Sequence, residues 1–141
     1  MDTPISISLG TPDYGWLPVD FRYKDFQIDF DASNVLNDPI EEINYAITQL
    51  QDNETKRITF WLEAPAYFFD ITKKGNNFIL AISYFDDLFD KIKEPNLLQT
   101  INGSESEIIE PLRSALKRFE TLTYDKQHWF GFNDEDKQNN E

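Results

Sequence analysis

Asp29-Phe30-Asp31-Ala32-Ser33 begins like the D-x-D-x-S start of a calcium loop, in which alternate oxygen ligands converge on one ion. Such a loop needs Gly at its sixth position for the sharp turn and a bidentate Glu at its twelfth. Here those positions hold Asn34 and Ile40, with Glu41 one place late, and the preceding residues read as strand where a helix is required. Trp61 and Glu63 form the second candidate, because an aromatic platform beside a carboxylate suits a sugar. The same pair also fits the outward side of a strand that stops before Pro65. His128 is the sole histidine, so no His pair exists for zinc and no nucleophile triad is evident. Its neighbours Trp129, Phe130 and Phe132 place it in a docked aromatic terminus. The five glycines are scattered at 10, 15, 75, 103 and 131, and no phosphate-cradling loop is present. The sequence therefore assigns no catalytic, cofactor-binding or metal-ligating residue.

Charge offers more. The 141 residues carry 13 Lys and Arg against 26 Asp and Glu, a net charge of −13. Nucleic acid and anionic membranes are poor partners for such a chain, since affinity for both comes from Lys and Arg. No cysteine is available for a disulfide, a thiolate metal site or a nucleophile. No secretory leader or membrane-length apolar run is recognisable, which makes the cytoplasm the expected compartment. Residues 1 to 55 hold 2 basic and 11 acidic groups, whereas residues 56 to 128 hold 10 and 11, so the excess is concentrated near the start. Asp20, Asp29 and Asp31 lie there on the polar side of a hairpin, with Asp20 and Asp29 as cross-strand neighbours if the turn is tight. Like charges in that position destabilise a sheet. They form either a solvated face or a docking surface for a basic protein. Tyr14 and Trp16, bounded by Pro12 and Pro18, are either recognition anchors or a cap on the core.

The elements that must position these groups follow from hydrophobic period. Residues 16 to 23 and 26 to 32 alternate apolar and polar, and only Lys24-Asp25 separates them, which predicts a hairpin. Asp38 as N-cap, Pro39 at the first helical position and Ile40, Ile43, Ile47 and Leu50 on one face predict a helix over 39 to 51. Strand-like runs cover 57 to 63, 66 to 72 and 77 to 85. Ser104 and Glu107 make a capping box for a second amphipathic helix through Leu122. Residues 86 to 103 read as irregular with one short element. The expected fold is α+β: a mostly antiparallel sheet of about five strands with two amphipathic helices packed on one face. Residues 1 to 132 form one domain and 133 to 141 a mobile acidic tail.

Trp16-Leu17-Pro18-Val19, Ser33 to Ile40 and Phe60-Trp61-Leu62-Glu63 resemble small acidic bacterial proteins that serve as immunity proteins in polymorphic and contact-dependent toxin systems. The resemblance spans about residues 16 to 85. It implies a stoichiometric inhibitor that masks a toxin by charge and shape, and it carries over no individual binding residue. The expected function is thus a non-enzymatic acidic protein-binding domain, an immunity or inhibitor protein for a basic toxin or nuclease. Trp16, Asp20, Asp29 and Asp31 would meet the partner. The alternative is a small-ligand or carbohydrate-binding domain, or a minor enzyme, centred on Trp61 and Glu63.

Overall fold

The computed structural model describes residues 5–62, 65–86, 94–124 and 128–129. Seven strands and two helices follow one another as β1 (Ser6–Leu9), β2 (Trp16–Tyr23), β3 (Phe26–Ser33), α1 (Pro39–Gln49), β4 (Thr55–Trp61), β5 (Ala66–Lys74), β6 (Asn77–Phe85), β7 (Asn96–Gly103) and α2 (Glu105–Glu120). The sheet is an antiparallel meander in which spatial order equals chain order. The α+β class agrees with the sequence; the number of strands does not. The short Ser6–Leu9 segment pairs with β2, and residues 96 to 103, expected to be irregular, pair with β6 around a bulge at Ile82/Ser83. Glu63, residues 87 to 93 and the tail expected at 133 to 141 lie outside the described residues.

The hairpin closes as the alternation predicts. Tyr23 pairs with Phe26 and Asp20 with Asp29, so Lys24 and Asp25 form the whole turn. Lys24 accepts a left-handed φ of 54° where Gly or Asn would be easier. Leu17, Val19 and Phe21 point inward from β2, opposite Ala32, Phe30 and Ile28 of β3.

Between β3 and β4 the ladder shrinks to one pair, Ser33 with Trp61. The two parts of the sheet meet at this corner and fold over each other. In a flat sheet β2 and β5 would stand three strand spacings apart, roughly 14 Å. Instead the Phe21 and Phe69 rings touch at 5.3 Å, and Phe30 packs on Phe60 at 5.3 Å and on Tyr67 at 4.6 Å. Each buried ring contributes about 1.5–3 kcal/mol through area removed from water. Across the open side lies α2, whose Ile108, Ile109, Leu112, Ala115, Leu116 and Phe119 are buried and which contacts β1, β6 and β7. Its capping box is formed, and the helix runs through Pro111 without the backbone bond that residue cannot donate. The apolar stripe holds it in place.

Where β3 leaves, the edge of β4 loses its backbone partner. Side chains of α1 and of the connection before it take over: the Thr59 N–H donates to Glu42 Oε1 at 2.8 Å, and Asn37 Nδ2 donates to the Thr59 carbonyl at 2.7 Å. This imitates one rung of a ladder and needs both groups. Helix α1 itself ends at Gln49, two residues earlier than its apolar pattern predicts, because Leu50 is extended. Removing the acceptor in Glu42→Ala leaves a half-buried N–H unpaired and should lower stability by about 1–3 kcal/mol in urea unfolding. Glu42→Gln, which keeps an acceptor oxygen, should lose clearly less.

Candidate functional site

Outward-facing positions on β2 and β3 form a short grid. Trp16 is opposite Ser33, Pro18 opposite Asp31 and Asp20 opposite Asp29, with Ser8 of β1 beside Asp20. Successive rows are about 7 Å apart along a strand, so Trp16 and the three Asp fall within one patch. The structure thus brings together all four residues singled out from the sequence. A shallow groove of about 350 Å³ runs between Ser8, Gly10, Pro18, Asp20, Asp29 and Asp31. Asp29 and Asp31 sit on an extended strand, and the Ser33 hydroxyl accepts from the Val35 N–H at 3.1 Å, so the calcium-like stretch does not wrap into a loop. Among the described residues no group of three or more His, Asp or Glu could hold a metal ion.

The opposition of Asp20 and Asp29 is relieved from within the hairpin. Arg22 donates from Nε and Nη2 to the Asp20 carboxylate at 3.0 and 3.3 Å. The hydrogen bond and charge of Asp20, with a smaller share from Asp29, hold the guanidinium above its ordinary range. One cation therefore answers two carboxylates, and the local field stays negative.

Beyond the end of the hairpin two loops lie side by side, joined where the Asn34 N–H donates to the Gly15 carbonyl at 3.1 Å. They carry four exposed large apolar side chains: Tyr14 at 71%, Val35 at 68%, Leu36 at 60% and Trp16 at 36% of full exposure. Tyr14 and Trp16 are on the surface and do not cap the core. Val35 and Leu36 belong to the resembling stretch Ser33 to Ile40 but are not among the binding residues expected from the sequence. Their signal was present, since two adjacent large apolar residues in a loop are either buried or on offer.

The first loop is held in a strained shape, with φ of 48° at Tyr14 and 86° at Gly15. His128 secures it. Its Nδ1 accepts from the Tyr14 N–H at 2.9 Å, its carbonyl accepts from the Gly15 N–H at 2.6 Å, and its ring meets Tyr14 edge-on at 4.3 Å. Asp13 Oδ1 lies 3.3 Å from the same nitrogen. Trp129 next to it is buried, as expected of a docked aromatic terminus, while Phe130 and Phe132 lie outside the described residues.

A second concave region, about 410 Å³, lies between α1 and β4 and is lined by Asp38, Glu41, Glu42, Tyr45, Lys56 and Arg57. Burial pushes the Asp38 carboxyl up to about 6, against the opposing pull of the Glu41 and Ile40 N–H groups that it caps. The Trp129 indole adds to that pull, although its Nε1 falls outside hydrogen-bond geometry. Burial also raises Glu42, partly offset by the Thr59 N–H and Asn37. Lys56 lies 3.4 Å from Glu54 and over the Tyr45 ring, while Arg57 forks onto Asp70 at 2.8 and 3.0 Å. Asp38, Glu42, Lys56 and Arg57 are thus engaged in holding the fold. Trp61 is half-buried on the outer row beside Ser33, with its Nε1 enclosed and unpaired.

Two measurements follow from these contacts. Asp38 keeps its proton in the fold up to about pH 6 but releases it near pH 4 in the unfolded chain. The native state binds more protons between those values, so this group's contribution to stability falls as pH rises through that window. Asp38→Asn, which keeps an acceptor for the cap, should flatten the slope of unfolding free energy against pH, leaving the share due to Glu42; Asp38→Ala should cost about 1 kcal/mol as the cap is lost. His128→Ala should accelerate hydrogen exchange at the Tyr14 amide, read by NMR, and leave amides of β5 unchanged.

Neither a family model nor a curated protein matches this chain. Among the described residues, no helix is long and apolar enough to cross a membrane. Among solved structures, the fold is similar to a chain of the CdiA-CT/CdiI toxin and immunity complex from Enterobacter cloacae, with a TM-score of 0.46 and 7% identity over 81% of this chain and 99% of that one.

Proposed function

We propose that this chain is a non-enzymatic protein-binding domain of the immunity or inhibitor kind, which engages a basic partner through the loops at 13–16 and 33–36 and the acidic row beside them. The observation that carries this reading is the exposure of Tyr14, Trp16, Val35 and Leu36 at one end of the hairpin, with Asp31 in the next outward row and Asp20 and Asp29 in the row after it. Exposed aromatic anchors with a charged surround are how interfaces divide their work. The anchors supply affinity once desolvated, and the charges supply rate and choice of partner. Residues 13 to 36 hold Asp13, Asp20, Asp25, Asp29 and Asp31 against Arg22 and Lys24, a negative balance that favours Lys- and Arg-rich surfaces. No nucleic acid, membrane or cofactor enters this reading.

The test is side-by-side affinity capture from native lysate with the wild type, Trp16→Ala, and a triple charge reversal at Asp20, Asp29 and Asp31, followed by binding kinetics on the protein retained. The expected partner is basic, is retained at low salt and is released at high salt. Trp16→Ala should speed its dissociation, and the charge reversal should slow association by tenfold or more and flatten the salt dependence. Identical kinetics for all three proteins would remove the patch from the interface.

A further inference from the structure

Backbone parity in β3 separates the groups already bonded from those on offer. The Asn34 N–H donates to the Gly15 carbonyl at 3.1 Å, and Gly15 with Asn34 continues the β2–β3 register by one pair beyond Trp16 with Ser33. In an antiparallel ladder, pairs that exchange hydrogen bonds alternate with pairs that do not. Counting back from Asn34, residues Ala32, Phe30, Ile28 and Phe26 therefore bond to β2, whereas Ser33, Asp31, Asp29 and Gln27 turn their N–H and C=O groups the other way. Ser33 meets Trp61 of β4 on that side, and the ladder stops there. Among the described residues no strand pairs with the outer edge of Gln27, Asp29 and Asp31, and all three are exposed. The facing edge of β4 is taken at Thr59 by Glu42 and Asn37.

The two faces of this edge differ in chemistry. On the inner face Phe26, Ile28 and Phe30 are only half-buried, although Phe21 and Val19, the β2 partners of Ile28 and Phe30, are almost wholly buried. On the outer face Asp29 and Asp31 flank the edge itself, with Asp20 one strand behind and the nearest guanidinium, Arg22, already bound to Asp20. Charges on an edge deter a strand that carries the same sign, so pairing of two copies here would set Asp against Asp. The same carboxylates attract a strand that carries cations.

We propose that an extended segment of the basic partner adds to the β3 edge, with Lys or Arg on its outward positions beside Asp29 and Asp31 and apolar side chains on its inward positions against Phe26, Ile28 and Phe30. This rests on the reading of the chain as a binder of a basic protein, and it names the part of that protein which is held. The N–H and C=O groups of Gln27, Asp29 and Asp31 fix the segment along about 17 Å of edge. Backbone bonds of this kind supply affinity for any extended chain, and the alternation of side chains supplies the choice among them. The added strand continues towards the loop of Val35 and Leu36, where the exposed apolar residues take over.

The test is NMR titration of the full chain with a blocked heptapeptide that alternates Lys and Val, and with two forms of it N-methylated on the backbone, one at every Lys and one at every Val. The unmodified peptide should slow hydrogen exchange at the Gln27, Asp29 and Asp31 amides and leave those of Ile28 and Phe30, already bonded to β2, unchanged. One methylated form should lose binding and the other keep it, because only one edge of the peptide faces β3. Gln27→Pro removes an edge N–H without altering charge or a β2 bond, and should weaken the peptide by about tenfold or more relative to Gln27→Ala. Equal binding by all three peptides, or binding without protection of the three amides, would reduce the contact to charge alone and overturn the proposal, as would no binding at about 1 mM peptide. The readout needs no natural partner, so it is separable from the capture experiment. A partner whose dissociation responds to Trp16→Ala and not to Gln27→Pro keeps the binding patch and removes the added strand.

Discussion

The single ladder pair between Ser33 and Trp61 is the constraint on which the remaining architecture depends. Had β3 and β4 paired along their lengths, the aromatic residues of β2 and β5 would face a common helix layer from separate places on one sheet. Because the ladder breaks, the two parts fold together, and Phe21, Phe30, Phe60, Phe69 and Tyr67 pack ring against ring. The helices then fill what the folded sheet leaves open. α2 bridges from β1 to β6 and β7, and the start of α1 and the connection before it supply the backbone partners that β3 has withdrawn. The loops on either side of the break are left exposed. Val35 and Leu36 are on the surface where the chain leaves β3, beside Tyr14 and Trp16 at the entry to β2.

Much of this was legible in residue order. Alternation on both sides of Lys24-Asp25 placed Asp20 opposite Asp29, and two well-marked caps, Asp38-Pro39 and Ser104 with Glu107, located the helix starts. These are local signals, and local physics decides them. The missed elements are those that exist through their partners. Asn96–Gly103 has an intrinsically weak strand composition and follows a proline; it is a strand because β6 offers it a ladder. Ser6–Leu9 is only four residues long and gains its place from β2 and from α2 lying against it.

The candidate site divides along the same line. Trp16, Asp20, Asp29 and Asp31 were visible because strand parity fixes which side chains share a face. Arg22 was visible on that face too, but its grip on Asp20 depends on rotamers that sequence does not encode. Val35 and Leu36 join Tyr14 and Trp16 through one backbone hydrogen bond between residues far from a regular element, and no periodicity announces such a contact.

His128 ties the Tyr14 loop from 114 positions downstream. In the order of synthesis, the acidic hairpin emerges early while the loop that carries its aromatic anchors lacks its fastening until nearly the whole domain has left the ribosome. The surface is consequently a record of completion. A chain cut short before residue 128 keeps the Asp13–Trp16 backbone pair and the Asn34–Gly15 bond but loses both His128 acceptors and the ring that meets Tyr14, so its turn is held from one side only.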